Sequence, residues 1–74
     1  MTVTLDSLCE NEKALIISIK LHGRLRSRLN DLGFVGGTPV ECVKKNKTIS
    51  AYQIRGAVIA LRSDTSSEIL TEKI

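Results

Sequence analysis

The sequence predicts a mainly β fold, a small and partly open barrel with one inserted α-helix. Short segments rich in Ile, Val and Thr recur along the chain, separated by turns that contain Gly or Asn. The chain has 74 residues, too few for two packed sheets, so its strands are expected to curl around one core. The predicted strand segments are Val3–Leu8 leading into a turn, Lys13–Leu21, Pro39–Lys44, Thr48–Arg55, Ala57–Leu61 and Ile69–Ile74.

One segment, Arg24–Leu32, has the apolar period of an α-helix. Three leucines fall at positions i, i+4 and i+7 and predict a buried face. Gly33 is the expected residue where the helix ends in a left-handed turn. Phe34 follows, placed to fold back on the helix as the apolar contact of such an ending. The three leucines are Leu25, Leu29 and Leu32.

Other short segments predict a strand irregularity, two turns and a second helical turn. Residues Ala14–Ile17 are apolar on both faces of a strand, which predicts either burial on both sides or a β-bulge. Gly36 and Gly37 predict a tight turn. The segment Lys45–Lys47 predicts a hairpin loop, and Ser63 is expected to cap a short helical turn through Glu68.

Length and composition fit one globular domain spanning residues 1–74. The chain is 42% hydrophobic and 26% charged, close to an ordinary globular domain. Cys9 and Cys42 stand in no metal-binding or redox spacing, so we expect two reduced thiols and a cytoplasmic protein. The first residues lack the basic and apolar regions of a signal peptide, and no segment is long enough to span a bilayer.

Basic residues concentrate in the middle of the chain. Residues 20–47 contain seven basic and two acidic side chains, a local charge of +5, whereas the rest of the chain sums to −2. Such an excess favours an acidic partner surface, a nucleic acid or a membrane face, and charge by itself does not choose among them.

The sequence holds no arrangement typical of catalysis, metal binding or nucleic-acid binding. It has one histidine, His22, which we expect in an exposed loop, and no phosphate-binding glycine motif. Cys9, His22 and Cys42 are too scattered to predict a metal site. Phe34 and Tyr52 are the only aromatic residues, too few to stack single-stranded bases or to line a groove for proline-rich peptides. We therefore expect no enzyme activity, no cofactor and no nucleic-acid partner.

The chain nevertheless resembles a known family along most of its length. The segment 23–35, GRLRSRLNDLGFV, followed by Gly37, Thr38 and Val40, is similar to the FeoA family of small ferrous iron transport proteins. The segments 52–56, YQIRG, and 59–62, IALR, look like a strand pair of the same family. Two departures stand out: Gly36 replaces the proline that is usual before Gly-Thr, and the loop 45–47 is short.

The resemblance implies an SH3-like barrel and a protein partner. That partner would be FeoB, the membrane transporter with a cytoplasmic GTP-binding domain, and this chain would act as its non-enzymatic accessory in ferrous iron uptake. The chain itself would not insert in the membrane but would reach the inner membrane through FeoB. Two alternatives stay open: a regulatory interaction module related to the C-terminal domain of DtxR-like metal-dependent repressors, and a direct iron-binding chaperone.

The local charge excess suggests where a partner would bind. We expect a contact surface that combines the helix, the turn after it and the lysine-rich hairpin. Arginine and lysine side chains on such a surface would mainly steer association with an acidic partner. The residues predicted to bind the partner are Arg24, Arg28, Phe34, Lys44, Lys45 and Lys47.

Overall fold

A computed structural model describes residues 1–74 as one curled six-stranded antiparallel sheet with one substantial helix. The mainly β prediction, with a helix inserted after the second strand, is confirmed. A 3₁₀ turn, Leu5–Ser7, follows the first strand. The elements are β1 (Thr2–Thr4), β2 (Lys13–Ile19), α1 (Gly23–Leu32), β3 (Pro39–Lys44), β4 (Ile49–Ile54), β5 (Ala57–Arg62), α2 (Ser63–Ser66) and β6 (Ile69–Lys73).

The order of the strands explains how so short a chain encloses a core. The sheet runs β1-β6-β2-β3-β4-β5, so the C-terminal strand lies between the first two and joins the ends of the chain. Strands β1 and β5 each have one hydrogen-bonded neighbour and leave the barrel partly open between them. Leu15 lies at the meeting of three strands, since it pairs with Pro39 of β3 and with Glu72 of β6.

The long apolar run in β2 is explained by a β-bulge. The register between β2 and β6 shifts between Ile16 and Ser18, so Ile17 has no direct partner and lies 43% exposed. The bulge keeps Ile16 and Ile19 facing the core although they are three positions apart, an odd spacing that would put them on opposite faces of a regular strand. Of the two explanations for this run, the bulge is the one that the structure contains.

The tight connection between β4 and β5 consists of two residues. Ile54 pairs with Ala57, and Arg55 and Gly56 between them both have positive φ, +49° and +79°. Two consecutive left-handed residues are the signature of a type I′ turn, whose twist matches that of the strands. Arg55 therefore belongs to the turn and not to β4.

The helix α1 ends as its glycine predicts. Gly33 has φ +114°, and its N–H bonds to the carbonyl of Asn30 while the N–H of Phe34 bonds to the carbonyl of Leu29. A Cβ at Gly33 would lie 2.9 Å from Cδ of Arg55, an exposed and flexible side chain that can move, so it is the positive φ that requires glycine here.

The predicted apolar face of α1 is only partly buried. Leu29 is 2% exposed, whereas Leu25 and Leu32 are 42% and 37% exposed. The prediction that all three leucines face the core is therefore wrong. The helix contacts the barrel along a narrow strip around Leu29, and the chain has no further layer to cover the other two leucines.

Two smaller expectations need correction. Ser63 is not the cap of α2, because the helix starts at Ser63, its N-cap is Arg62 and no side-chain hydrogen bond caps it. The helix also ends at Ser66, two residues before Glu68. The hydroxyls of Ser66 and Ser67 bond to the carbonyls of Ser63 and Asp64, which closes a single compact turn.

The barrel interior is one continuous apolar cluster of thirteen side chains. Tyr52 and Phe34 are its largest members, and both are fully buried. The hydroxyl of Tyr52 reaches the carbonyl of Leu5 at 3.5 Å, so the ring extends from β4 to the 3₁₀ turn. The remaining members are Leu5, Leu8, Ala14, Ile16, Ile19, Leu29, Val40, Cys42, Ile54, Leu61 and Ile69.

The two cysteines differ sharply in accessibility. Cys9 is exposed, whereas Cys42 is fully buried and burial raises the pKa of its thiol. Because the thiolate is the reactive form, we expect iodoacetamide to modify Cys9 alone in the folded protein and both thiols in guanidinium. Mass spectrometry of the alkylated chain checks this, and rapid modification of Cys42 under native conditions would contradict the fold.

Candidate functional site

The outer side of α1 presents two cations to solvent. Arg24 and Arg28 stand one helical turn apart and share one side of the helix. Both are exposed, and neither takes part in any of the three salt bridges of the chain. Their guanidinium groups therefore have no acidic partner within the chain and are available to an acidic surface.

Exposed leucines lie next to these cations. Leu25 and Leu32 lie on the flank of α1 between its buried strip and its cationic side, each more than a third exposed. A helix that combines uncovered leucines with unpaired arginines has the composition of the protein interfaces in which apolar contact supplies affinity and arginine supplies orientation. This combination, called the α1 surface below, comprises Arg24, Leu25, Arg28 and Leu32.

A further cation lies at the C-terminal end of the helix. Arg55 in the β4–β5 turn lays its side-chain stem over Gly33, with Cδ close to the glycine Cα. Its stem thus covers the helix end. Arg55 is not among the residues predicted from the sequence to contact a partner, although an Arg-Gly pair between two strands favours a hairpin turn.

The lysine-rich hairpin is only partly available to a partner. The ammonium group of Lys45 donates to the carbonyls of Asp6 and Leu8, the latter at 3.0 Å. Its backbone N–H also donates to Oε2 of Glu10 at 2.9 Å. Lys45 therefore ties the β3–β4 hairpin to the segment after β1, whereas Lys44 and Lys47 on either side of it are exposed.

The helix and the hairpin do not form one surface. Pro39 starts β3 and Arg55 follows β4, so the two residues lie at the same end of the β3–β4 hairpin. Helix α1 lies at this end, because it follows the part of β2 that extends beyond Pro39 and its C-terminus contacts Arg55. Lys44 and Lys47 lie at the other end of that hairpin, about 15–20 Å away along six-residue strands. The predicted contact residues thus divide into the α1 surface and a separate lysine patch.

Phe34 has to be removed from the predicted contact residues. Its side chain is fully buried in the barrel core, so it cannot touch a partner without unfolding. The prediction that Phe34 follows the helix as the apolar contact of the C-cap agrees with its backbone hydrogen bond to Leu29 at 2.9 Å. Its role is to anchor α1 on the barrel, which positions the exposed arginines.

The structure does not bring metal-binding side chains together. No group of three or more His, Cys, Asp or Glu residues is placed to hold a metal ion. Cys9 and His22 are exposed, whereas Cys42 lies inside the barrel. No helix of the chain is both long and apolar enough to cross a membrane.

The two carboxylates with shifted pKa values, Glu12 and Glu72, form ion pairs at the ends of strands. A hydrogen bond from the N–H of Cys9 lowers the pKa of Glu12, and Lys73 at 3.1 Å adds to the effect. The amino terminus of Met1 lowers the pKa of Glu72. These pairs join β6 to the start of β2 and to the chain's N-terminus, so they stabilise strand ends and do not build a reactive centre.

Comparison with known proteins identifies the family of this fold. The family model of the FeoA domain matches residues 3–73. A search of curated protein sequences found no match. The NMR structure of a FeoA-like protein from Clostridium acetobutylicum is 25% identical, with a TM-score of 0.85 over 99% of this chain and 87% of that chain.

A second FeoA structure and the structure of an IdeR protein share the same barrel. Stenotrophomonas maltophilia FeoA, crystallised with zinc, is 28% identical, with a TM-score of 0.83 over 95% of this chain and 89% of that chain. That protein is described as a prokaryotic SH3 domain protein and a candidate ferrous iron transport activating factor. The T. acidophilum IdeR structure is 19% identical, with a TM-score of 0.86 over 99% of this chain and 34% of that chain, a likeness of fold. The family match covers almost the whole chain, so the protein belongs to the FeoA domain family, and the SH3-like barrel predicted from the sequence is confirmed.

Proposed function

We propose that this protein is a non-enzymatic accessory of ferrous iron uptake that binds the cytoplasmic part of a FeoB-type transporter and modulates it. Membership of the FeoA family supports the link to ferrous iron transport. The observation that carries the proposal is the α1 surface, where unpaired arginines stand beside partly exposed leucines.

The α1 surface favours an acidic partner with apolar residues at the centre of the contact. Desolvating the half-exposed side chains of Leu25 and Leu32 would supply affinity, at roughly 25 cal/mol per Å² of apolar area. Arg24 and Arg28 would steer association and fix the orientation of the two proteins. The proposal places the protein at the cytoplasmic face of the inner membrane only while it is bound to the transporter.

Charge reversal on α1 tests this arrangement. We expect the double variant Arg24→Glu, Arg28→Glu to weaken binding to the full-length transporter about tenfold or more, because attraction to an acidic surface becomes repulsion. The measurement is the dissociation constant by biolayer interferometry, with the transporter of the same organism in lipid nanodiscs.

The lysine patch supplies a matched control. The double variant Lys44→Glu, Lys47→Glu changes the net charge by the same amount at the opposite end of the barrel. It should change the dissociation constant less than about threefold, the size of a nonspecific charge effect. Equal weakening by both variants would show that only net charge matters, and no weakening by the helix variant would remove the α1 surface from the proposal.

The repressor-like fold supports a second candidate function. The likeness to IdeR favours a regulatory module that holds a peptide segment of a metal-dependent repressor. Absence of any binding to the transporter, together with binding to such a repressor, would favour this function. A direct iron chaperone requires stoichiometric, saturable Fe²⁺ binding by the purified protein, which an anaerobic titration measures.

A further inference from the structure

Strand β5 is an unprotected edge of the sheet. It has six residues, and its register with β4 is continuous over all of them, without a bulge. Exposed edges are usually protected by a short strand, a bulge, a proline or a charged side chain, because unpaired backbone groups would otherwise pair with another strand. The opposite edge, β1, is protected by its length of three residues, after which the chain enters the 3₁₀ turn. Residues 57–61 of β5, AVIAL, contain no such protection.

The β4–β5 turn decides which backbone groups face the open edge. In a two-residue hairpin, the residues that flank the turn are hydrogen-bonded to each other, and hydrogen-bonded pairs then alternate with non-hydrogen-bonded pairs. The flanking residues here are Ile54 and Ala57, so the odd-numbered residues of β5 bond to β4. The N–H and C=O groups of Val58 and Ala60 therefore point away from β4. None of the backbone hydrogen bonds of turns and loops uses these four groups.

The side chains around these groups are apolar and accessible. Val58 is 63% exposed, Ala60 is exposed, and Ile49 on the same face of β4 is 45% exposed. The only charged residue of β5 is Arg62 at its end, and Asp64 lies 3.8 Å from its Nε. No charge therefore stands where a second strand would approach the apolar stretch.

We propose that β5 pairs with β5 of a second copy of this chain, antiparallel about a two-fold axis at Ile59. In this register Ile59 faces its counterpart, Val58 faces Ala60 and Ala57 faces Leu61, so every pair is apolar. The outward N–H and C=O groups of Val58 and Ala60 then meet those of the other copy and form four hydrogen bonds. The strand is complementary to itself, so a second copy fits this edge better than a strand of unrelated sequence.

The pairing stops at two copies, because each copy has one long edge and the two-fold arrangement uses both. The two Arg62 side chains lie about 20 Å apart along the strands, beyond the screening length of about 8 Å in physiological salt. Two paired strands bury less than the roughly 800 Å² per partner of a standard interface, so we expect a dissociation constant of about 0.1 mM. Strand β5 shares no residue with the α1 surface, so the proposal is independent of the proposed function.

Sedimentation equilibrium of the full chain, from about 10 µM to about 1 mM in physiological salt, measures the association. The mass should rise reversibly from 8.1 kDa towards twice that value. Amide hydrogen exchange, followed by NMR over the same concentrations, should slow at Val58 and Ala60 as the dimer forms. The amides of β1, at the short edge, should exchange at an unchanged rate.

Two oppositely charged double variants test the register. Val58→Lys, Ala60→Lys places lysines opposite lysines, and Val58→Glu, Ala60→Glu places glutamates opposite glutamates, so each should dimerise at least about tenfold more weakly than the wild type. A mixture of the two should form a one-to-one complex, because each lysine then faces a glutamate. Two lysines raise the net charge of +3 to +5 and two glutamates lower it to +1, so both variants stay positive and net charge does not attract them.

The control places the same charge one strand away from the edge. Ile49→Lys, Gln53→Lys adds two lysines at exposed positions of β4 and should change the dissociation constant less than about threefold. A dispersed amide spectrum verifies that each variant is folded.

A chain that stays monomeric at about 1 mM would overturn the proposal and leave the edge to a strand of another protein. Growth beyond two copies would also overturn it, as would equal weakening by the edge and control variants or a mixture that does not associate.

Discussion

Replacing Phe34 by alanine is expected to lower the free energy of unfolding by about 3–5 kcal/mol, the usual cost of removing a buried aromatic ring. The ring is fully buried and belongs to the single core cluster, so neighbouring side chains have little freedom to fill the space it leaves. Its backbone N–H completes the C-cap of α1 by bonding to the carbonyl of Leu29. Alanine keeps that backbone hydrogen bond, so the expected loss reports the packing of the ring.

Such a loss is large for this protein. A chain of 74 residues has a total stability of about 4–11 kcal/mol at typical values per residue. Urea unfolding followed by circular dichroism measures the change, with Phe34→Leu as the control that keeps an apolar side chain and should cost about 1–2 kcal/mol. A change below about 1 kcal/mol for Phe34→Ala would mean that the residue is not in the core.

Alanine substitutions at two leucines of α1 are expected to differ strongly in their effect on the free energy of unfolding. Leu29→Ala should cost about 2–5 kcal/mol, because Leu29 is the one leucine of the helix that reaches the core. Leu25→Ala removes the same atoms from a side chain that is 42% exposed, and should cost less than about 1 kcal/mol. The helical preferences of the residues are identical in the two variants, so the difference reports burial alone.

Thermal or urea unfolding of the two variants side by side measures this contrast. If Leu25→Ala destabilised the protein as much as Leu29→Ala, the helix would be packed on its whole apolar face and the α1 surface would not be free for a partner. The pair of variants thus tests the orientation of the helix, on which the proposed α1 surface depends.

Local patterns were sufficient to predict most of the fold. Glycine at position 33, after a helical period of leucines, predicted the end of α1 to the residue, since few side chains tolerate the required backbone angle. The apolar run Ala14–Ile17 broke the two-residue alternation of a strand, and that break marked the bulge. Strand boundaries were less accurate, by one or two residues for most strands and by four at the end of β1, where the 3₁₀ turn Leu5–Ser7 replaces the second half of the predicted segment Val3–Leu8. Pairing partners, which local sequence does not show, decide where a strand stops.

Burial of the helix depended on tertiary structure. Leu25, Leu29 and Leu32 have the same chemistry and the same helical period, but only Leu29 meets the barrel. A 74-residue chain has no additional layer to cover the remaining two leucines. A sequence pattern therefore identified an amphipathic helix correctly but could not tell the buried leucine from the two that stay partly exposed.

The candidate site was predicted less well than the fold, for physical reasons. Lys45 is basic like its neighbours, yet its ammonium group is bound to the carbonyls of Asp6 and Leu8, which lie far away in sequence. A cleft of about 240 Å³ beside Arg26 forms only where the bulge of β2, the helix and the Gly36 turn meet. Neither arrangement leaves a signal in local residue spacing, because both arise from contacts between distant segments.

The most direct test of the central claim is an amide NMR titration of the labelled protein with the cytoplasmic GTP-binding part of the FeoB-type transporter from the same organism, with and without nucleotide. The account predicts saturable shifts at Arg24, Leu25, Arg28 and Leu32, with the lysine patch at Lys44 and Lys47 unaffected. Shifts confined to the lysine patch, or an unchanged spectrum at high partner concentration, would contradict the claim that the outer surface of α1 binds the transporter.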